Sequence, residues 1–411
     1  MKNRGALFVV TRSSQEWKGA AGIWIMIGGW AKAAENLWGN SIVCTRDRNL
    51  TADQTLELAN YASKSFKSSS QKSILRKFIP EILITFIKDI KLYLSRPNEW
   101  PVEKESNLNL SNIKYIIERH DLFSGVGFKL AKRLSIPFIL LVDAPVVWEA
   151  KKWGVNRGIW GWFLEKNSEV KSLKQADLVL CISEKVKEKV VSFGVSENKI
   201  RVVHNKINSV LFHPSISDVN VRSIHNLENK FVIGWTGSFR KFHGLDALVN
   251  AFAKLCAQRT DLCLILVGNG QEYIPIQKLV HNLGISDQVI FADTQPYSKI
   301  PEWISCFDIG IVSARSSEDF HYSPLKLQEY FALGKPTIIP RAGDLNKRYS
   351  NRKDTLFYEA GNSDDLSKKI TELLDNKELR TKLSKSGLEM HKKYGSWEAD
   401  LKEIEKYFER K

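Results

Sequence analysis

The chain has 411 residues, of which 43% are hydrophobic and 26% charged, with a formal net charge of +15. Such a length exceeds one ordinary core and predicts two domains, and the composition excludes a broadly disordered chain or one that needs metal or disulfide staples. The excess of Lys and Arg calls for an anionic partner, whether nucleic acid, anionic lipid or a phosphorylated small molecule.

Lys2 and Arg4 precede only a short apolar stretch over 6–10, less than the core of a signal peptide. No window reaches the roughly 18 uninterrupted apolar residues of a spanning helix. The five cysteines, Cys44, Cys181, Cys256, Cys263 and Cys306, are odd in number and form no C-x-x-C pair. That pattern speaks against zinc and redox chemistry and for a reducing compartment. The expected location is the cytoplasm.

Strand-like apolar runs at 6–11, 41–45, 115–118, 137–142, 178–182 and 200–204 alternate with helix-like segments at 23–37, 125–134, 160–175 and 184–193. This alternation builds a parallel sheet covered by helices on both faces. The apolar period fades over 208–229, where Pro, Ser, Asn and Asp accumulate as in a connection between domains. A second series follows, with strands at 231–236, 262–267, 288–291, 309–312 and 337–340 and helices at 245–257, 274–283, 300–304, 324–333 and 365–374. The expected fold is therefore α/β, with two Rossmann-like doubly wound domains, 1–207 and 208–395, facing each other across a cleft. An amphipathic helix over 396–411, with Leu401, Ile404 and Phe408 on one stripe, is expected to return to the first domain. One insertion interleaves basic and apolar residues over 64–96, a mixture suited to an anionic membrane surface or to a helical pair with a solvated basic face.

Chemistry concentrates after the strand at 309–312, in the stretch Ser323-Pro324-Leu325-Lys326-Leu327-Gln328-Glu329 and on to Pro336. A proline opens a helix whose free N–H groups suit a phosphate, and Lys326 adds a positive charge in the first turn. Glu329 can accept hydrogen bonds from two adjacent sugar hydroxyls. Further back, Gly234 to Leu245 reads as a strand, then a glycine-bounded basic loop with Gly237, Ser238, Arg240, Lys241 and His243, then a helix. Its glycines allow close backbone approach, and its cations can neutralise a diphosphate. A Gly-x-Gly turn with Gly268 and Asn269 ends the next strand, and Pro296 lies in the loop after 291.

In the first half, the strand at 6–11 runs into a glycine-containing loop over 18–22 ahead of a helix. Gly22 is its expected ligand contact. The loop lacks the G-x-G-x-x-G spacing of a dinucleotide site, which weakens a hydride-transfer reading. Glu118-Arg119-His120-Asp121 and Asp143-Ala144-Pro145 both follow strands, where ligand-binding residues of open α/β sheets gather. No D-x-D triplet occurs anywhere in the chain.

The block around Glu329 resembles the donor-binding helix of the retaining glycosyltransferase family 4, which has the GT-B fold. In that family a Glu pair spaced E-x7-E bounds this element. Glu329 matches the second glutamate, which holds the ribose, while His321 stands at the first, near the donor sugar. The loop at 237–244 is similar to a subgroup reading G-S-F-x-x-x-H-G, with Ser238 and His243 where many members have Arg and Lys. The text around 117–125, 176–184 and 203–205 resembles family 4 N-terminal domains.

The resemblance implies a hexosyl-type transferase moving a sugar from a nucleotide-sugar to a saccharide or polyprenyl-diphosphate-linked acceptor, with retention of configuration, no cofactor and no metal. The implied setting is surface polysaccharide biosynthesis, in the cytoplasm or peripheral to the inner face of the membrane. The implied donor set is Gly22, Gly237, Ser238, Arg240, Lys241, His243, Gly268, Asn269, Pro296, His321, Ser323, Pro324, Leu325, Lys326 and Glu329. Arg119, His120 and Asp143 are implied at the acceptor, with His120, Lys326 and Arg240 in catalysis. Two rival readings are a non-catalytic relative that binds a nucleotide-sugar for a partner enzyme, and a basic nucleic-acid-binding protein. Nucleic acid is not in the expected partner set.

Overall fold

The computed structural model describes residues 5–15, 21–61, 80–96 and 112–410. The chain divides into two compact units. The first comprises Met1–Asn205, His321–Ser323 and Trp397–Lys411, and the second Lys206–Phe320 and Pro324–Ser396.

The first unit is built on seven strands: β1 (Gly5–Val9), β2 (Asn40–Cys44), β3 (Asn49–Leu50), β4 (Ile113–Arg119), β5 (Phe138–Val142), β6 (Leu178–Cys181) and β7 (Ile200–Val202). Their order is β3-β2-β1-β4-β5-β6-β7, and every pairing is parallel except that of β3 with β2. A parallel sheet covered on both faces needs strands that are apolar throughout, and β5 and β6 supply FILLV and LVLC, buried at every residue. The helix Ala21–Trp38 buries Trp24, Ile25, Ile27 and Trp30. A Cβ on Gly29 would fall 2.3 Å from the Trp397 ring, so glycine is what lets the C-terminal helix Trp397–Glu409 lie this close. That helix is tied further by the Lys114–Glu405 ion pair and by Phe408 against Tyr115.

The second unit has six strands: β8 (Phe231–Thr236), β9 (Leu262–Val267), β10 (Val289–Asp293), β11 (Ile309–Ile311), β12 (Thr337–Pro340) and β13 (Leu356–Tyr358). They lie in the order β10-β9-β8-β11-β12-β13, all parallel. Both units are thus doubly wound. Strand order reverses between β1 and β4 in the first and between β8 and β11 in the second, and the crevice at the carboxyl end of such a switch point is where ligands of open sheets bind.

The structure adds elements that periodicity did not predict. Strands β3 and β13 are such additions; β3, at two residues, is too short to show a pattern. The connection over 208–229 contains the helix Val219–Ile224, held by Arg222, whose guanidinium donates to Asp218, to Asp308 and to the Cys306 carbonyl. The single helix expected over 160–175 is three pieces, Gly158–Leu164, a π-helical turn Glu165–Glu169 and Val170–Gln175. Among the described residues no helix is long and apolar enough to cross a membrane. Of the loop expected over 18–22, residues 18–20 lie outside the described residues, as does 64–79 of the basic insertion.

Candidate functional site

At the carboxyl end of β8 the chain turns at Gly237, whose φ of +144° is a conformation open to glycine. The Lys326 side chain fills the space beside it, so that a Cβ on residue 237 would stand 2.8 Å from Nζ. Nζ also lies 3.8 Å from the centre of the Trp235 ring, a cation–π contact. Among the described residues it has no hydrogen-bond partner although Lys326 is buried, 8% exposed. A buried ammonium left in this state is costly unless an anion is meant to meet it. Burial accordingly lowers its pKa to about 7, against the nearby Glu329 carboxylate, which favours the charged form.

The helix Leu325–Ala332 that carries Lys326 has Pro324 at its N-cap and no side chain capping its first turn. Its amino end therefore adds N–H groups and a positive dipole end to the Lys326 charge. Glu329, one turn on, is also buried, and burial raises its carboxyl to about 7, opposed by Lys326. Tyr297 is buried with its hydroxyl unpartnered among the described residues, and burial together with the Glu329 charge holds its pKa well above the ordinary value. His243 is buried against Trp235, and burial, then the charges of Lys326 and Arg240, hold it well below the ordinary histidine value. Arg240, Lys241 and Ser238 are exposed on the same loop. Lys326, Arg240 and His243 thus converge on one anion-seeking region of the second unit.

The adjoining loop after β9 is locked to this one. Gly268, with φ of +133°, comes so close that a Cβ there would fall 1.8 Å from the Gly237 carbonyl oxygen. Asn269 donates from Nδ2 to Asp293 at 2.7 Å and accepts the Gly270 N–H. Asp293 itself adopts a φ of +54° and accepts the Thr294 N–H, which sets the course of the chain into Pro296 and Tyr297. Trp235, Tyr297 and Asp293 were not named as site residues. The resemblance places the loop over 291–297 at the nucleotide pocket, but the particular relations of these three to Lys326, Glu329 and Asn269 are those of spatial neighbours.

In the first unit the ends of β1 and β4 meet. Arg12 holds Asp121 through two hydrogen bonds, one of 2.7 Å from Nη2. Asp121 is buried, which alone would raise its pKa, yet the Arg12 guanidinium holds the carboxyl below the ordinary range. His120 is buried with both ring nitrogens engaged, Nε2 at 3.1 Å from Glu169 and Nδ1 at 3.2 Å from the Ser124 hydroxyl. Glu169 ends the π-helical turn and also accepts the Val146 and Val147 N–H groups at 2.5 and 3.0 Å. Such one-turn insertions gather at functional sites because they re-aim a side chain. Arg119 pairs with Asp143 at 2.5 Å across the ends of β4 and β5. Glu118 accepts from the Gly125 and Gly127 N–H groups at 2.5 and 2.7 Å, and burial lifts its pKa to about 7 against those bonds.

The expected donor set divides between the units. Pro324, Leu325, Lys326 and Glu329 belong to the second, together with Gly237, Ser238, Arg240, Lys241, His243, Gly268, Asn269 and Pro296. His321 and Ser323 belong to the first. The His321 ring is 1% exposed, bonds Glu149 at 2.9 Å and packs on Trp148, which anchors it within the first unit. Ser323 accepts from the Asn205 N–H and, through its carbonyl, from Asn205 Nδ2 at 2.9 Å. Gly22 lies exposed in the first turn of the helix Ala21–Trp38. Among the described residues no group of three or more His, Cys, Asp or Glu side chains could hold a metal ion.

A family model described as glycosyl transferases group 1 matches residues 217–390, and one described as Glycosyltransferase Family 4 matches 111–209. The chain is 26% identical over 288 residues to the uncharacterized glycosyltransferase MJ1178 of Methanocaldococcus jannaschii, covering 69% of this chain and 71% of that protein. It is 25% identical over 217 residues to N-acetyl-alpha-D-glucosaminyl L-malate synthase of Bacillus anthracis, covering 53% and 55%. To the lipopolysaccharide core biosynthesis glycosyltransferase LpsE of Rhizobium meliloti it is 23% identical over 222 residues, covering 53% and 59%; the chain thus spans little more than half of these last two relatives. Among solved structures, Anabaena Alr3699/HepE in complex with UDP and glucose superposes with a TM-score of 0.67 at 15% identity, covering 99% of this chain and 100% of that one. Sucrose-phosphate synthase from Thermosynechococcus elongatus superposes with a TM-score of 0.66 at 18% identity, covering 99% of each.

Two doubly wound units with this strand order, together with the superpositions, define the GT-B fold, and the family matches make the chain a glycosyltransferase. The chain belongs to glycosyltransferase family 4, its two halves matching the family's two models in turn.

Proposed function

We propose that the chain moves a sugar from a nucleoside-diphosphate sugar, held by the second unit, to a saccharide acceptor, free or lipid-linked, bound by the first. The observation that carries this reading is the buried Lys326 ammonium, without a hydrogen-bond partner among the described residues, at the uncapped end of the helix Leu325–Ala332. A diphosphate supplies the two negative charges that this arrangement lacks, and Glu329 offers a carboxylate to the attached ribose.

Transfer breaks the bond between the sugar's anomeric carbon and the diphosphate oxygen, and the charge that develops on that oxygen is met by Lys326, by Arg240 and by the helix N–H groups. Catalysis of this kind is electrostatic and positional. It needs no divalent cation, in keeping with a sequence that has no D-x-D triplet. Anomeric configuration is retained, and the departing phosphate accepts the proton of the attacking acceptor hydroxyl. On the acceptor side Arg119, Asp143 and His120 frame the strand ends, with His120 held in one orientation by Glu169 and Ser124.

The name of LpsE and the UDP and glucose in the HepE complex support a sugar nucleotide, with UDP the first to test, and a role in surface polysaccharide assembly. A role of this kind calls for an enzyme in the cytoplasm or peripheral to the inner face of the membrane, and the interleaved basic and apolar residues over 64–96 of the sequence suit anionic lipid. The test is release of nucleoside diphosphate from a panel of sugar nucleotides, with and without EDTA. Turnover of at least one donor that survives EDTA supports the reading. Absence of binding and turnover with every donor contradicts it.

A further inference from the structure

The first unit carries an apolar groove that the transfer chemistry leaves unused. It lies between the helix Glu81–Leu94 and the helix Gly158–Leu164, with a volume of about 390 Å³. Phe86, Ile90, Tyr93, Trp160, Phe163 and Leu164 line it. That size falls within the range of sites that enclose small ligands. Asp89 clasps one helix to the other, accepting from Arg157 Nε at 2.8 Å, Arg157 Nη2 at 3.2 Å and Trp160 Nε1 at 3.0 Å. Phe86 meets Trp160 edge to face at 5.2 Å, so the two walls are fixed relative to each other.

One end of this groove leads to the switch point. A second, smaller pocket is lined by Thr11, Arg46, Leu92, Arg96, Asp121 and Phe123, and Arg96 and Phe123 border both. Thr11 and Asp121 follow β1 and β4, so this smaller pocket sits at the carboxyl ends of those strands. Arg96 stacks on Tyr93 with its guanidinium 3.8 Å from the ring centre, and Arg46 donates to the Ser95 hydroxyl at 2.9 Å. A cationic end beside the strand termini thus continues into an apolar channel. Around it Leu94 is 75% exposed, Ile159 88% and Trp162 60%, an apolar rim beyond what scattered surface residues provide.

We propose that the groove takes the hydrocarbon chain of a lipid-linked, phosphorylated acceptor, whose phosphate meets Arg96 and Arg46. The inference rests on the glycosyl-transfer reading and names its acceptor class. Charge and polarity decide for this occupant: a free saccharide has no use for six apolar walls, and a neutral lipid has none for the two guanidinium groups.

The test is calorimetric binding of farnesyl diphosphate, farnesol and inorganic pyrophosphate to the full chain, repeated with a nucleoside diphosphate at saturation. Farnesyl diphosphate is expected to bind at least about tenfold more tightly than either fragment, and saturating nucleotide is expected not to displace it. Phe163 is 58% exposed, so Phe163→Arg leaves the core intact. It should cost farnesyl diphosphate about tenfold, and Arg96→Ala should cost farnesyl diphosphate but not farnesol. Equal affinities for farnesyl diphosphate and pyrophosphate, or an affinity that Phe163→Arg does not change, would overturn the proposal. So would a Phe163→Arg chain that loses anionic vesicles yet keeps farnesyl diphosphate, since the face would then serve a bilayer and not a single chain. Nucleotide affinity separates the two readings: retained while farnesyl diphosphate fails, it overturns the groove alone; absent altogether, it overturns glycosyl transfer.

Discussion

Lys326 and Glu329 lie one turn apart on a single helix, both buried, and burial moves each toward its neutral form, the ammonium down and the carboxyl up to about 7. A pair held in that state is poised for an anion, because an arriving diphosphate restores to Lys326 the partner that its surroundings withhold.

Proton uptake on binding follows. Above pH 7 the empty site holds Lys326 increasingly neutral, whereas the complex holds it charged, so binding of a nucleoside diphosphate takes up a proton and affinity falls as pH rises from 7 to 9. Titration calorimetry in two buffers of different ionisation enthalpy reads this directly. Equal heats in both buffers at pH 8 would rule it out.

Stability carries the same signature with its own sign. Lys326 has a folded pKa below its unfolded value of 10.5, so its contribution is present above pH 10.5 and is lost as pH falls toward 7. Glu329 has a folded pKa above its unfolded value of 4.5, so its contribution is present below pH 4.5 and is lost as pH rises toward 7. The ligand-free chain should therefore gain stability from Lys326 between pH 7 and 10, and Lys326→Met should flatten that rise. Parallel urea midpoints for the two proteins would show no difference in slope if Lys326 were solvated.

Two glycines fix the loops that frame this pair. Gly268→Ala places a Cβ 1.8 Å from the Gly237 carbonyl oxygen and forces a residue with a side chain into φ of +133°. A cost of about 1–3 kcal/mol is expected, with weaker nucleotide binding, because the loop must move away. An unchanged denaturation midpoint would show that the two loops are not in contact.

On the acceptor side Glu169 orients His120 and caps two backbone N–H groups at once. Glu169→Ala orphans all three and should cost about 2–4 kcal/mol. Glu169→Gln keeps the shape and one acceptor, so it should fold while lowering kcat about tenfold or more, with the donor Kd unchanged, since the donor site we propose lies in the second unit. A fall in donor affinity with kcat intact would place Glu169 in the wrong half of the reaction.

The alternation of apolar runs was enough to foresee eleven of the thirteen strands, because fully buried parallel strands such as β5 and β9 are apolar at every position. The two-residue β3 carries too few residues to show any period, β13 went unread although it is as long as β7 and β11, and the helix Lys377–Lys393 escaped because it buries only Leu379, Leu383 and Gly387. In the site, Lys326 and Glu329 were legible as a proline-opened helix with charges at fixed offsets. Trp235 and Glu169 were not, since their roles arise from neighbours 91 and 49 residues away in Lys326 and His120, and Tyr297 was legible only as part of the loop over 291–297. The contacts of His321 were hidden for the same reason: its sequence position aligns with a donor-side glutamate, and its partners Glu149 and Trp148 lie far away in the chain.

The most direct test of the account compares nucleoside, nucleoside monophosphate and nucleoside diphosphate binding to the native chain and to Lys326→Ala. The native chain should bind the diphosphate at least about tenfold more tightly than the monophosphate, and Lys326→Ala should erase most of that preference while leaving the nucleoside unaffected. A diphosphate preference that survives unchanged without Lys326 would contradict the central claim.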